Sequence, residues 1–414
     1  MDIYCGAYIS IYLYRYYEDL LKPLVDIGED GVQMQIGHGG NSVSVIAHIR
    51  IVCICGDNEG LDKLSLCASG RTEGFLCRIC MCPDVKEGAW GGFAKKNLPW
   101  QRKDNDEIRK LIKQNKDIKR DTFQRSLSNR SGSQSQPRRE IDKQTLRRAR
   151  ELALRPGCNA FMDLPPHIRP AGGLPAMVGP DAMHTYNGGT IKACLECSLR
   201  IIYALQNINP KEYGKLMSTL DVMVEFFPRK HSVIPFKLPH MKHGISQFLP
   251  ERRDTKKKQD QSYGLSVGHI PLEDLPGMLW QVVYCCNELL PENSSDFGDR
   301  REGPRWNWPI RKQVYNAAHS ALDVIAILKS TEGYSDKDVE EFEHALRVSN
   351  AHLFLLFALK KDLIDVIKEV PISKRTPHKS IMRKPHAALH IPEFIEQFGD
   401  PAVFNTMAGR TLSS

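Results

Sequence analysis

The 414-residue sequence contains no membrane-spanning run: no segment approaches about 18 uninterrupted apolar residues, and Arg15 interrupts the aromatic-rich opening early. That opening also lacks the basic n-region and small-residue cleavage site of a secretory signal. The expected location is therefore nuclear or cytoplasmic, with no membrane as partner. Twelve cysteines in such a chain are expected as reduced thiols and metal ligands rather than as disulfides. The stretch Gly37-His38-Gly39-Gly40 is rich in glycine, but it lacks the lysine of a P-loop and precedes no clear helix, which argues against a phosphate cradle. His386 and His390 stand four apart without the glutamate of an HExxH motif, which disfavours a metalloprotease. Charge is mildly one-sided, at +8, so any anionic partner has to be argued from where the cations cluster.

The first half carries the more informative chemistry. Apolar residues at helical spacing predict an amphipathic helix over Ile9–Val25. Asp30-Gly31 marks a turn, and Val32–Ile36 alternates like a half-exposed strand. A central strand is expected over Val43–Cys55, because Ile49 to Cys55 is nearly unbroken apolar sequence, the pattern of a strand buried on both faces. Gly56-Asp57 ends it, at the carboxyl edge where α/β sheets place functional carboxylates. Cys77-Arg78-Ile79-Cys80 follows, with the spacing of two tetrahedral zinc ligands.

From Arg102 to Arg155 the sequence is dense in Lys and Arg, with helices predicted over Ile108–Phe123 and Lys143–Leu154. Between them residues 126–137 form a polar, Ser-rich linker of disorder-prone composition. Two readings fit these helices. They are solvated faces, or they are a phosphate-contacting surface that releases counterions from a nucleic-acid backbone. On the second reading Arg109, Lys110, Lys113, Lys119, Arg120, Arg147 and Arg148 are the candidate contacts. The charged stretch Arg252–Tyr263 is open to the same two readings.

Beyond a proline-rich connector the chain reads as helical. Helices are expected over Thr190–Leu205, Leu275–Leu290, Gln313–Leu328 and Ser335–Val370, the last opened by a Ser335/Asp338 capping box and stopped by Pro371. The second CxxC, Cys194 to Cys197, lies inside an apolar helix, where the cysteines are expected as small buried hydrophobes.

Taken in order, Gly56-Asp57, Cys77/Cys80, Asp181-Ala182-Met183-His184 with Gly188-Gly189, and Lys384/His386/His390/Pro392 resemble the motifs of the transposases of Plavaka-like and CACTA-type DNA transposons. That family consists of DDE enzymes with an RNase H-like core. The resemblance spans nearly the whole chain. It implies an α/β fold: a partial RNase H-like core with a zinc knuckle over residues 1–98, a basic helical insertion over 99–155, and a mostly helical remainder over 156–414. It further implies a nuclear, transposase-derived DNA-binding protein, and a homo-oligomer is a further expectation. Cleavage and strand transfer in such enzymes use two Mg²⁺ or Mn²⁺ ions held by three carboxylates. Asp57 matches the second of these and is the candidate catalytic and metal-holding residue. Structural zinc would take Cys77, Cys80 and His184, with Asp181 or Cys158 completing the site.

The departures point the other way on catalysis. No strand bearing the first aspartate precedes the Ile9 helix, and no glutamate follows Glu396. The chain is expected to be truncated at both ends and catalytically incomplete, because one aspartate does not position two Mg²⁺ ions. Glu393 and Glu396 are expected as solvent-facing residues of an amphipathic segment around Phe394-Ile395 rather than as substitutes. Two other readings stay open: a zinc-stabilised nucleic-acid or protein adaptor in which Asp57 has no metal role, and an active DDE enzyme with a clipped gene model.

Overall fold

The structure, a computed structural model, describes residues 19–36, 43–48, 51, 53–54, 58–65, 77–82, 100–114, 117, 140–152, 154, 160–227, 237–242, 244–245, 267, 270–293, 309–329, 334–366, 384–399 and 401. Asp57, Cys158, Lys119, Arg120, the 126–137 linker and the Arg252–Tyr263 stretch lie outside these. The chain divides into two compact units, Met1–Val85 with Trp100–Asp181, and Lys86–Pro99 with Ala182–Ser414. No described helix is long and apolar enough to cross a membrane, and none of the described cysteines is in a disulfide.

In the first unit helix α1 (19–30) leads through Gly31, at φ 75°, into strand β1 (Val32–Ile36). The expected turn and strand are thus found in place, but the strand is exposed along its whole length rather than alternately buried. Strand β2 (Val43–Ala47) pairs with β1 antiparallel, Val32 opposite Ala47 and Ile36 opposite Val43. This is the only sheet among the described residues. The α/β description therefore holds only coarsely, as a small sheet beside a large helical part; a multi-stranded RNase H-like sheet is not among the described residues.

The expected central strand is corrected on the same ground. β2 ends at Ala47, and the described residues Ile51, Cys53 and Ile54 are half-buried coil. Their amides are used differently: Ile51 N–H donates to the Ile168 carbonyl at 2.8 Å and Ile54 N–H to that of Met177 at 2.8 Å. Ile51 and Ile54, three apart, both pack on the core formed by Leu21, Leu61, Ile108, Leu111, Leu152, Phe161, Ile168 and Met177. A strand of period two puts residues three apart on opposite faces, so the apolar run is explained by packing and not by a ladder.

Helices α2 (Asn58–Leu64), α3 (105–114) and α4 (Glu140–Glu151) contribute to this core. Several residues of the basic region serve packing. Lys103, buried, donates to the Leu152 carbonyl at 2.9 Å, where α4 ends, which suits a cation at a helix C-terminus. Arg148 pairs with Glu107 at 2.7 Å, tying α4 to α3. Arg78 is the most demanding of these cations, because a buried charge must be paired and fully hydrogen-bonded. It meets Asp62 of α2 at 3.2 Å and donates to the carbonyls of Val178 at 3.3 Å and Gly179 at 3.0 Å. The short helix α5 (Leu174–Met177) precedes those carbonyls.

The regular elements described in the second unit are helices, beside an isolated Lys242–Gly244 bridge. A π-helical segment, Met183–Ile191, runs directly into α6 (Lys192–Ile208). Then come α7 (Pro210–Tyr213), α8 (Leu216–Glu225), α9 (Leu275–Cys286), α10 (Ile310–Leu328), α11 (Asp336–Val366), α12 (384–388) and α13 (Ile391–Phe398). α6, α9, α10 and α11 pack on one another. In α10 the buried positions include Ile310, Val314, Ala317, Ala318, Ala321, Val324 and Ile325, a 3.6-residue stripe whose alanines let α11 approach closely. Cys194 and Cys197 are buried in α6, as expected for small hydrophobes, and burial pushes the Cys197 thiol up to about 11. The Ser335/Asp338 capping box forms: the Ser335 amide and hydroxyl donate to Asp338 at 2.8 and 2.6 Å.

Removing one partner of the Asp62–Arg78 pair strands a buried charge. Asp62→Ala is expected to lower unfolding free energy by about 3–5 kcal/mol, read from urea denaturation; a loss under about 1 kcal/mol, the range of an exposed pair, would contradict the account.

Candidate metal centre

The knuckle is held by backbone first. Cys80 forms an isolated antiparallel bridge with Arg102, flanked by Met81 N–H to the Gln101 carbonyl at 2.8 Å and Lys103 N–H to that of Ile79 at 2.9 Å. Ile79 N–H donates to the Cys77 sulfur at 3.3 Å, a bond that favours the thiolate form a metal needs. Cys77 and Cys80 are both buried. Beside the Cys77 side chain that hydrogen-bonds to it, and in its buried setting, the Cys80 thiol is held far above its ordinary pKa. A coordinated divalent ion inverts that preference.

The histidines belong to the α12–α13 segment. His386 lies in α12 and His390 in the turn before α13, with His390 N–H donating to the Ala387 carbonyl at 3.2 Å. Both rings are buried, and their Nε2 atoms stand 3.3 Å apart. Zn–N bonds of about 2.0–2.1 Å in a tetrahedron require a nitrogen–nitrogen edge of about 3.3 Å, so this spacing suits two ligands of one ion. Glu393 stands 3.9 Å from His390 Nδ1, beyond direct hydrogen-bonding distance. α13 is amphipathic as expected: Phe394 and Ile395 are buried and Glu396 is exposed.

Ligand atoms of Cys77, Cys80, His386 and His390 all lie within 4.8 Å of one another. Two sulfurs and two imidazole nitrogens, all from buried side chains, are compatible with zinc. Four protein ligands leave no open position for water or substrate, which is the pattern of a structural site rather than a catalytic one.

Lys384 fixes the register of the histidine segment. Its Nζ donates to the Gly188 carbonyl at 2.8 Å, inside the π-helix. A Cβ on Gly189 would stand 2.5 Å from Lys384 Cβ, and one on Gly188 3.1 Å from Lys384 Nζ. Both glycines therefore make room for this lysine. Tyr186, in the same segment, is buried against the Ser349 hydroxyl at 2.8 Å.

Of the residues expected to bind metal, Cys77 and Cys80 are in the cluster and Asp181 and His184 are not among its members. Asp181 is buried and His184 half-buried. His386 and His390 are the two members of the cluster not expected from the sequence. Their i, i+4 spacing beside an incomplete CxxC was the available signal, masked by the length of chain that separates the pairs. Among the candidate phosphate contacts, Lys110, Lys113 and Arg147 are exposed, Arg109 pairs with Asp163 at 3.0 Å, and Arg148 is the α3–α4 tie described above. Comparison with protein-family models, with curated proteins and with solved structures finds no match.

Gly189→Ala is expected to displace the Lys384 segment, costing about 1–3 kcal/mol as an overpacking substitution. The same variant should release zinc to a chelator faster than the parent; unchanged stability and release would show that the segment is not registered by this contact.

Proposed function

We propose that this chain is a zinc-stabilised, transposase-derived DNA-binding protein of the Plavaka-like and CACTA-type DDE family, with Cys77, Cys80, His386 and His390 as the zinc ligands. The observation that carries the reading is the gathering of those four donor atoms. Cys77/Cys80 and His386/His390 belong to two of the motifs on which the family resemblance rests, and Lys384, of the same segment as the histidines, contacts Gly188-Gly189 of a third. The zinc supplies folding free energy, because its ligand set does not exist in an unfolded chain.

DNA is the partner this reading names, with Lys110, Lys113 and Arg147 as exposed cations on α3 and α4. Asp57 is the residue the resemblance assigns to Mg²⁺ or Mn²⁺ chemistry. A second reading, a zinc-stabilised adaptor without catalytic ancestry, draws on Lys103 and Arg148, whose charges are engaged in packing.

Metal analysis of the purified chain should give about one zinc per molecule, lost in Cys77→Ser and in His390→Ala but kept in His184→Ala. Zinc kept in His390→Ala and lost in His184→Ala would return the site to the ligand set expected from sequence. Binding to duplex DNA should weaken steeply with salt, and the double substitution of Lys110 and Lys113 by Ala should reduce the log–log salt slope by about 2. Salt-insensitive binding, or none, would favour the adaptor. Mn²⁺-dependent nicking abolished by Asp57→Asn would instead identify an active DDE enzyme.

A further inference from the structure

In the second unit two cations meet without a counter-ion. Lys360 of α11 is buried, at 4% exposure, a place that lysine seldom takes unless it is paired. Its Nζ stands 5.0 Å from the centre of the Phe357 ring, and among the described residues it makes no hydrogen bond or ion pair. Arg200 of α6 is half-buried, and its Nε, hidden from solvent, has no acceptor among the described residues. α6 and α11 pack together, and the Tyr186–Ser349 hydrogen bond sets their register. Eleven residues further along from each of these stand Cys197 and Lys360. Arg200 lies one turn beyond Cys197, on the same face of α6. The Lys360 ammonium and the Arg200 guanidinium accordingly both act on the Cys197 sulfur. The surroundings supply little negative charge. Burial pushes the Cys197 thiol up to about 11, so the sulfur is neutral at pH 7. Among the described residues Glu196 is the one carboxylate that acts on it, and Lys192 already pairs with Glu196 at 3.9 Å. The Phe357 ring offers Lys360 a quadrupole, not the full opposite charge that a desolvated ammonium needs. Two positive charges are left over, beside the half-buried stripe Lys192, Glu196, Arg200 and Tyr203 along α6.

We propose that α6 and α11 form a binding site for a small phosphate dianion, held by Lys360 and Arg200. Charge and access select that class of ligand. A guanidinium fork and a point-charge ammonium together suit the several oxygens of a phosphate. Two uncompensated charges match a dianion, whether inorganic phosphate or the monoester of a small metabolite, and overmatch a single carboxylate. Lys360 is too deeply buried for a DNA backbone to reach. The half-buried stripe of α6 is the side from which a small ion enters, and the Arg200 Nε is a donor already desolvated for it. Neither zinc nor DNA takes part in the site.

Equilibrium dialysis of the full-length, zinc-loaded chain against radiolabelled inorganic phosphate, at constant ionic strength, tests this directly. One saturable site per chain is expected. Lys360→Met, which keeps an apolar stem, and Arg200→Gln should each weaken binding by about tenfold or more, with zinc content and circular dichroism unchanged. Without phosphate, Lys360→Met should unfold at no lower temperature than the parent, because it removes an unpaired buried charge. The Lys110→Ala and Lys113→Ala double variant should bind phosphate as the parent does. Ribose 5-phosphate should compete for the site, and the tighter of the two ligands identifies the free ion or the monoester as its source. A parent with no saturable site overturns the proposal, as does a site unaffected by Lys360→Met and Arg200→Gln, or one lost in the Lys110/Lys113 pair. Acetate competing as well as phosphate would overturn the dianion assignment. If Lys360→Met does not fold, Arg200→Gln, at a half-buried position, decides the matter alone.

Discussion

A buried guanidinium sets the terms for the first unit. Arg78 sits between the two knuckle cysteines in sequence, and its desolvation has to be offset by a full set of acceptors. It finds them in Asp62 and in the carbonyls of Val178 and Gly179. Asp62 belongs to α2, the helix that begins one residue after Asp57; Gly179 lies two residues before Asp181. One side chain thus ties the knuckle to both segments that carry the acidic motif residues. Because the guanidinium has several donors in a rigid fork, three acceptors from two segments are held in one geometry. A lysine could supply the charge but not the fork.

The second unit solves a different problem, how to fix two histidines on a short helical segment. α12 and α13 are too short to hold their geometry by propensity. Burial of Ile391, Phe394 and Ile395 gives the segment its seat, and Lys384 gives it its register. The π-helix is part of that device. Widening the helical turn leaves carbonyls outside the regular i to i−4 ladder, and the Lys384 ammonium takes one of them, at Gly188. The two glycines appear in sequence as a loose motif feature; in the structure they are where a Cβ would strike the lysine.

Helices α6, α9, α10 and α11, the β1 strand and the Ser335 cap were legible in sequence, because local periodicity and capping chemistry determine them. So was the burial of Cys194 and Cys197, which follows from their place on an apolar helix. The stretch near Ile51 was not. A run of apolar residues says that a segment is buried, and only its hydrogen-bond partners, here Ile168 and Met177, say that it is not a strand. The centre was half legible: a CxxC announces itself by covalent spacing, whereas its partners are set by tertiary structure, and the DxxH histidine was the nearer choice on the chain but not a member of the cluster.

The chemistry of the donor set also limits what the centre can do. If zinc were held by these two thiolates and two imidazoles, it would have no vacant position and no water to ionise. Such a site is a poor host for Mg²⁺, which takes hard oxygen ligands in an octahedron and holds several waters. Phosphodiester chemistry, if the chain performs any, therefore has to use a separate carboxylate site. What the centre contributes is positional: the Cys77–Cys80 loop carries Arg78, Arg78 holds α2 through Asp62, and α2 starts immediately after Asp57. Loosening the knuckle would loosen α2. A metal held by Cys77 and Cys80 would in this way be coupled to α2 through one buried ion pair.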